Sequence, residues 1–153
     1  MPDDPPPDED AAKFFAFFTE VGIIAQLSRA LLEARLPGGA TVAQYSVLNH
    51  LVRVHDGRTP LELARAFQTP KNTMTHTLAG LETRGLIVFR PTPSDRRSKQ
   101  VWITDAGRRF RSAAAGLLST DIQRFRAKID LDTVAALTPH LAEIRKVLDE
   151  DRG

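Results

Sequence analysis

Two Thr-Pro dipeptides stand ten residues apart, Thr59-Pro60 and Thr69-Pro70, and they limit what the middle of this chain can become. A threonine hydroxyl can cap the free backbone N–H groups at a helix start, and proline fits the first helical position because no N–H is needed there. Each dipeptide therefore opens a helix. The first is short, from Pro60 to about Phe67, with Leu61, Ala64 and Phe67 inward. The second runs from Pro70 to about Arg84 and closes at Gly85, a residue that tolerates the left-handed terminator. Only Gln68, Thr69 and Pro70 separate the two. Leu86-Ile87-Val88-Phe89 then reads as a strand, Pro91 to Ser98 as a polar loop, and Gln100-Val101-Trp102-Ile103 as the returning strand, with Val101 and Ile103 on one face. Two short helices followed by a β-hairpin make a winged helix-turn-helix.

Helices flank this unit on both sides. Residues 1–10 are half acidic and hold four prolines, which predicts a disordered acidic tail. A long helix follows, from about Ala11 to Leu36, in which Phe14, Phe18, Val21, Ile24, Leu27 and Leu31 keep the helical repeat. Its apolar stripe exceeds what one small core covers, so it is either a central buried helix or a subunit interface. Pro37-Gly38-Gly39 stops it. Thr41 and Gln44 form a capping box for the next helix, whose buried stripe is Tyr45, Leu48, Leu51 and Val52, and Asp56-Gly57 ends it. Thr104-Asp105 caps a long helix to about Ile129, and a last helix spans about Asp132 to Leu148. The fold class is mainly α with a small β-hairpin: a winged helix-turn-helix plus a helical region.

Charge narrows the function. The net charge of +2 conceals an acidic start, since Asp3, Asp4, Asp8, Glu9 and Asp10 meet no base. Between residues 58 and 111 eleven lysines and arginines face four acids, the footprint of a nucleic-acid contact region or of a basic solvated face. There is no cysteine, which excludes disulfides, thiolate-zinc sites and thiol redox sensing. His50 and His55, five apart, point to different sides of a helix and share no metal. No Gly-rich phosphate loop and no serine nucleophile motif occurs, so the expectation is a protein that is not an enzyme and carries no cofactor. No stretch reads as near membrane-spanning length and no secretory signal opens the chain, which predicts a cytoplasmic protein without a membrane partner.

The second short helix carries the sharpest signal. Met74, Leu78 and Leu81 share one narrow inward face. Asn72, His76, Ala79 and Thr83 lie opposite, flanked by Lys71, Thr73 and Thr75, with no acid before Glu82. Such a face suits the DNA major groove, where asparagine reads adenine and threonine methyls touch thymine. An ordinary surface helix would carry Glu/Lys pairs there, and they are missing. The hairpin loop presents Arg96, Arg97 and Lys99, cations able to reach a narrow minor groove. Asp95 reads as an intramolecular partner fixing an arginine, because a carboxylate facing phosphate is repelled; Ser-Asp is also common in plain solvated turns.

From about Thr41 to Gly107 the chain resembles the MarR family of bacterial regulators. The match rests on Asp95-x-Arg97-Ser98-x-x-Val101-x-Ile103-Thr104-x-x-Gly107 and, more loosely, on Leu78-x-x-Leu81-Glu82-x-x-Gly85-Leu86-Ile87. The resemblance implies a single domain over residues 11–153, with a winged core of about 41–104 and dimerisation helices of about 11–36 and 105–149 that interdigitate in a homodimer. It implies that Arg97 enters the minor groove with Asp95 positioning it, while Lys71, Asn72, Thr73, Thr75 and His76 read the major groove of a pseudo-palindromic operator. It further implies a repressor relieved by a small aromatic or anionic effector held in a cleft, for which Tyr45, His50 and Arg29 are candidates. Two other uses of the same fold stay open: a winged-helix protein-interaction module and a non-specific nucleic-acid binder.

Overall fold

A computed structural model describes residues 8–151. The element order is α1 (Glu9–Arg35), a 3₁₀ turn (Pro37–Gly39), α2 (Val42–Arg53), α3 (Pro60–Ala66), α4 (Lys71–Thr83), β1 (Ile87–Thr92), β2 (Asp95–Ile103), α5 (Asp105–Arg126) and α6 (Leu131–Glu150). The chain divides into two compact units, one ending at Ala114 and the other starting at Ala115.

Local chemistry sets most boundaries of the first unit. Thr41 and Gln44 form the expected capping box of α2, and Thr59 forms another with Glu62, the two residues exchanging bonds of 3.2 and 2.8 Å. Backbone donation from Thr59 holds the Glu62 carboxyl below the usual glutamate range. The second Thr-Pro behaves differently from the first. Pro70 is itself the N-cap of α4, no side chain caps this helix, and the Thr69 hydroxyl donates back to the Phe67 carbonyl at 3.1 Å. The cause is the turn before it, in which Gln68 takes φ of +52° and swings Thr69 away from the helix start.

The N-terminus also departs from expectation. Residues 1–7 of the acidic tail lie outside the described residues, whereas Glu9 and Asp10 belong to α1 and Asp8 precedes it. Asp8 is its N-cap, accepting from the Asp10 amide at 3.2 Å, and the two acids of the first turn sit where the helix dipole favours negative charge. Lys13 pairs with Glu9 at 3.2 Å. No residue of α1 is buried; Phe14, Phe15, Ile24 and Leu27 are each more than 60% exposed. By length and composition alone α1 could cross a membrane, which corrects the expectation that no stretch is long enough. The reason is that only Glu20 and Arg29 are charged between Lys13 and Glu33.

The core lies between α2, α3, α4 and the hairpin. Leu48, Leu51, Leu63, Leu78, Leu81, Ile87 and Val101 are essentially inaccessible, with Met74 and Ile103 beside them. Val47 fills a core position of α2 that the sequence stripe assigned to Tyr45 and Val52, which are only partly covered. A second cluster joins Leu36, Ala40 and Ala114 to Val42, Tyr45 and Phe110.

The hairpin is longer than its hydrophobic pattern. Strands expected over four residues each run as Ile87–Thr92 and Asp95–Ile103, with Phe89 opposite Val101 and the ladder closing at Thr92 opposite Asp95. Most of the expected loop is thus strand, and the tip is reduced to Pro93-Ser94. On its other edge β2 pairs with the segment after α2: Gly57 N–H donates to the Val101 carbonyl at 3.0 Å and Val101 N–H to the Arg58 carbonyl at 2.7 Å.

The Thr104 hydroxyl joins the hairpin to both long elements around it. It accepts from the Gly107 amide at 3.0 Å and donates to the Gly85 carbonyl at 2.7 Å. Gly107 is a glycine because a Cβ there would collide with the Leu86 carbonyl oxygen and the Ile103 side chain. In the second unit α6 is capped by Asp130, which receives the Thr133 hydroxyl at 2.6 Å. Leu131, Val134, Leu137 and Leu141 are exposed along it.

Substituting Gly107 by alanine should lower unfolding stability by about 1–3 kcal/mol, the usual cost of forcing atoms into a filled site. Gly116→Ala in the same helix meets nothing within 4 Å and should be neutral or gain about 0.5–1 kcal/mol. Urea denaturation of the pair checks this; equal stabilities would contradict the collision.

Candidate nucleic-acid interface

The recognition residues named from sequence fall on one exposed surface. Lys71, Asn72, Thr73, Thr75 and His76 occupy the first two turns of α4, all exposed, with Ala79 and Thr83 continuing the row. The inward side is closed by Met74, Thr77, Leu78 and Leu81, so the helix is seated by one face and presents the other. Local bonds define what each side chain still offers. The Asn72 side-chain oxygen accepts from the Thr73 amide at 2.9 Å, which leaves its NH₂ group for a ligand. The Thr75 hydroxyl donates to the Lys71 carbonyl at 2.9 Å, leaving its methyl and oxygen lone pairs outward. The uncapped N-terminus of α4 adds free backbone donors of the kind that hold phosphate.

The wing residues lie together on the outer part of β2. Asp95, Arg96, Arg97 and Lys99 are all exposed, and the three cations meet no carboxylate partner among the described residues. Asp95 does act within the chain, through the backbone: its carboxylate accepts from the Arg97 amide at 2.9 Å. The Arg97 backbone is therefore fixed while its guanidinium stays unpaired.

Sequence reasoning missed the residue that anchors the wing. One Asp56 oxygen accepts from the Ile103 amide at 3.0 Å and the Gly57 amide at 3.1 Å, and the other takes Arg108 at 3.3 Å. Asp56 thus ties the end of α2 to the hairpin root and to α5. A signal was present, since a carboxylate just beyond a helix C-terminus opposes the dipole and requires other donors. Arg84 was also missed: it closes α4 and donates to the Gly38 carbonyl at 2.6 Å, linking this helix to the turn between α1 and α2. Arg90 lies 5.8 Å from the Trp102 ring, a cation–π contact on the outer wing face.

Two cavities open beside α2. One, of about 350 Å³, lies behind α4 among Arg29, Val47, Phe67, Thr73, Met74 and Thr77. The other, of about 400 Å³, is bounded by Tyr45, Asn49, His50, Arg53, Val54 and Phe67. Among the described residues no cluster of three metal-ligating side chains occurs.

Comparison with known proteins agrees with this geometry. Residues 39–98 match the model of the MarR family. The fold is similar to that of the transcriptional regulator BldR from Sulfolobus solfataricus, at 20% identity and a TM-score of 0.73, covering 94% of this chain and 99% of that one. It is similar to CouR from Rhodococcus jostii RHA1, solved bound to p-coumaroyl-CoA, at 26% identity and 0.70, covering 81% and 87%. It is also similar to PcaV from Streptomyces coelicolor, solved with its natural ligand, at 25% identity and 0.70, covering 84% and 89%.

Asp56→Ala leaves the Ile103 and Gly57 amides without their acceptor and should cost about 1–3 kcal/mol of stability. Amide exchange at Ile103 should accelerate with it. Unchanged exchange at that position would contradict the anchoring role.

Proposed function

We propose, for a chain whose winged helix is of the MarR family, that it is a dimeric, sequence-specific DNA-binding transcriptional regulator. In this reading it acts in the cytoplasm as a repressor, and a small aromatic or anionic effector releases it from its operator. The observation that carries the reading is the pairing of an exposed face on α4, without an acid before Glu82, with a wing whose Arg96 and Arg97 meet no carboxylate partner among the described residues. Groups left this way lose little by meeting phosphate and base edges, and they would be an electrostatic burden otherwise.

Lys71, Asn72, Thr73, Thr75 and His76 enter the major groove. The Asn72 NH₂ suits the N7 acceptor of a purine, and the Thr75 methyl suits thymine. Arg97 enters the minor groove, held by Asp95 through its amide, while Arg96 and Lys99 meet phosphates. A second copy of the chain covers the exposed leucines and phenylalanines of α1, and the two-fold axis so created demands a pseudo-palindromic operator. The effector reading draws on the p-coumaroyl-CoA bound to CouR, on the natural ligand bound to PcaV, and on the cavity that adjoins the seat of α4. The chemistry is binding throughout, with no catalytic step and no cofactor.

Light scattering should give about twice the 16.9 kDa of one chain. Arg97→Ala should weaken operator binding by about 1–3 kcal/mol, or roughly 5- to 150-fold. Arg96→Ala should weaken all duplexes alike and reduce the salt slope by about one. A monomer, or an Arg97 variant that binds like the parent, would contradict the reading.

A further inference from the structure

A glycine in the interior of α4 is not explained by the DNA-facing row. Gly80 is half-buried, and glycine inside a helix is less stable than alanine. The reason for it lies on α2. A Cβ on Gly80 would stand 2.5 Å from Nε2 of Gln44, closer than packed atoms approach. The end of a glutamine side chain ordinarily moves aside, but this one is held. Its Oε1 accepts from the Thr41 amide at 3.2 Å, as half of the capping box that starts α2. Gln44 therefore yields to a larger residue only by opening that box.

One turn further along, Arg84 makes a second contact. Its Nη2 donates to the Gly38 carbonyl at 2.6 Å, and its Nη1 lies 3.3 Å from where a Cβ on Gly38 would stand. Gly38 has φ of +62°, a left-handed backbone that glycine adopts without strain. A third contact closes a triangle. Glu33, near the end of α1, accepts from the Val42 amide in the first turn of α2 at 3.2 Å. Leu36 and Ala40, on either side of the turn, are buried with Ala114. The end of α1, the start of α2 and the C-terminal half of α4 are thus tied pairwise. Apolar packing alone has no direction and lets one helix slide or roll on another. A close backbone approach and a hydrogen bond from a charged donor fix both movements.

We propose that Gly80 and Arg84 are positioning residues for the DNA-facing part of α4: through Gln44 and Gly38 they join α4 to the end of α1, so that a displacement of α1 reaches α4 instead of being absorbed in the turn after α1. The inference rests on the proposed function for its consequence on DNA. There, a second copy seated on α1 sets where α1 stands, and the triangle passes that position to the residues from Lys71 to His76. Arg84 touches no base in this arrangement, because its guanidinium is engaged with Gly38. A loosened α4 keeps its cations and hence its attraction to phosphate, whereas contacts to base edges tolerate little displacement and weaken.

Two measurements on the full chain test it. The first needs no DNA. Gly80→Ala should lower the urea midpoint of the parent, but in a Gln44→Ala background it should leave the midpoint unchanged or raise it, because the obstacle is gone and alanine is the better helix former. The shifts caused by Arg84→Met and Glu33→Met should be non-additive, since both act on one turn. Equal lowering by Gly80→Ala in both backgrounds, or additive shifts for the second pair, would overturn the triangle. The second measurement compares affinity for a selected operator with affinity for a random duplex at matched salt. Arg84→Met should reduce their ratio by about 2- to 30-fold, with random-duplex binding and the salt slope unchanged. Arg84→Lys, which can still donate to Gly38, should restore most of the ratio. An equal loss for both duplexes, with a salt slope smaller by about one, would make Arg84 a phosphate contact and overturn the positioning role. A ratio left at the parent value would overturn it too. If the parent selects no operator, it is the proposed function that fails, and the two stability cycles then decide the triangle on their own.

Discussion

Thr104 and Asp56 together fix the hairpin to the helices around it, and the relative placement of α4 and the wing depends on that joint. The Thr104 hydroxyl spans from the end of α4 at Gly85 to the start of α5 at Gly107, while Asp56 holds the Ile103 amide from the other side. The helix α4 and the wing are thereby set at one spacing by short polar bonds around a core of Leu78, Leu81, Ile87 and Val101. In the proposed function such a spacing must be kept, because a shift of about an ångström misaligns bidentate base contacts.

The charge distribution fits this rigid frame. Where the frame needs carboxylates, they are engaged: Asp56 with two amides and Arg108, Glu62 with Thr59 and Arg58, Asp95 with the Arg97 amide. Four cations of the outer surface differ. Arg96, Arg97, Lys99 and Lys71 are exposed and meet no carboxylate partner among the described residues, an arrangement that the proposed function reads as pre-organisation for a polyanion. The apolar surface of α1 is a separate matter of burial. A helix bearing Phe14, Phe15, Ile24 and Leu27 in the open has far more exposed hydrocarbon than a monomer ordinarily tolerates.

Much of this was legible in the sequence, for reasons that differ by element. Capping boxes at Thr41 and Thr59 are local chemistry, so they could be read directly. The inward row Met74, Leu78, Leu81 follows from helical periodicity, and the exposed face of α4 is its complement. The role of Thr69 was not legible, because it depends on the backbone of Gln68 rather than on the Thr-Pro pair. Strand length was underestimated because Pro91 and the charges from Asp95 to Lys99 suppress the strand pattern, yet Pro91 pairs with Lys99 and, past a bulge at Arg96 to Ser98, Thr92 pairs with Asp95. Asp56 looked like a helix end and nothing more, since its partners Ile103 and Arg108 lie about fifty residues away. Cavities escape a linear reading altogether: Tyr45 and His50 proved to share one, and Arg29 lines the other.

Selection from a pool of random duplexes, using the purified chain at fixed salt, tests the central claim most directly. The account predicts enrichment of a pseudo-palindrome whose half-sites lie about one helical turn apart, as a two-fold pair of α4 helices requires. Binding without enrichment would mean a non-specific nucleic-acid binder, and no binding by any duplex would mean that this winged helix serves a protein partner; either result contradicts the account.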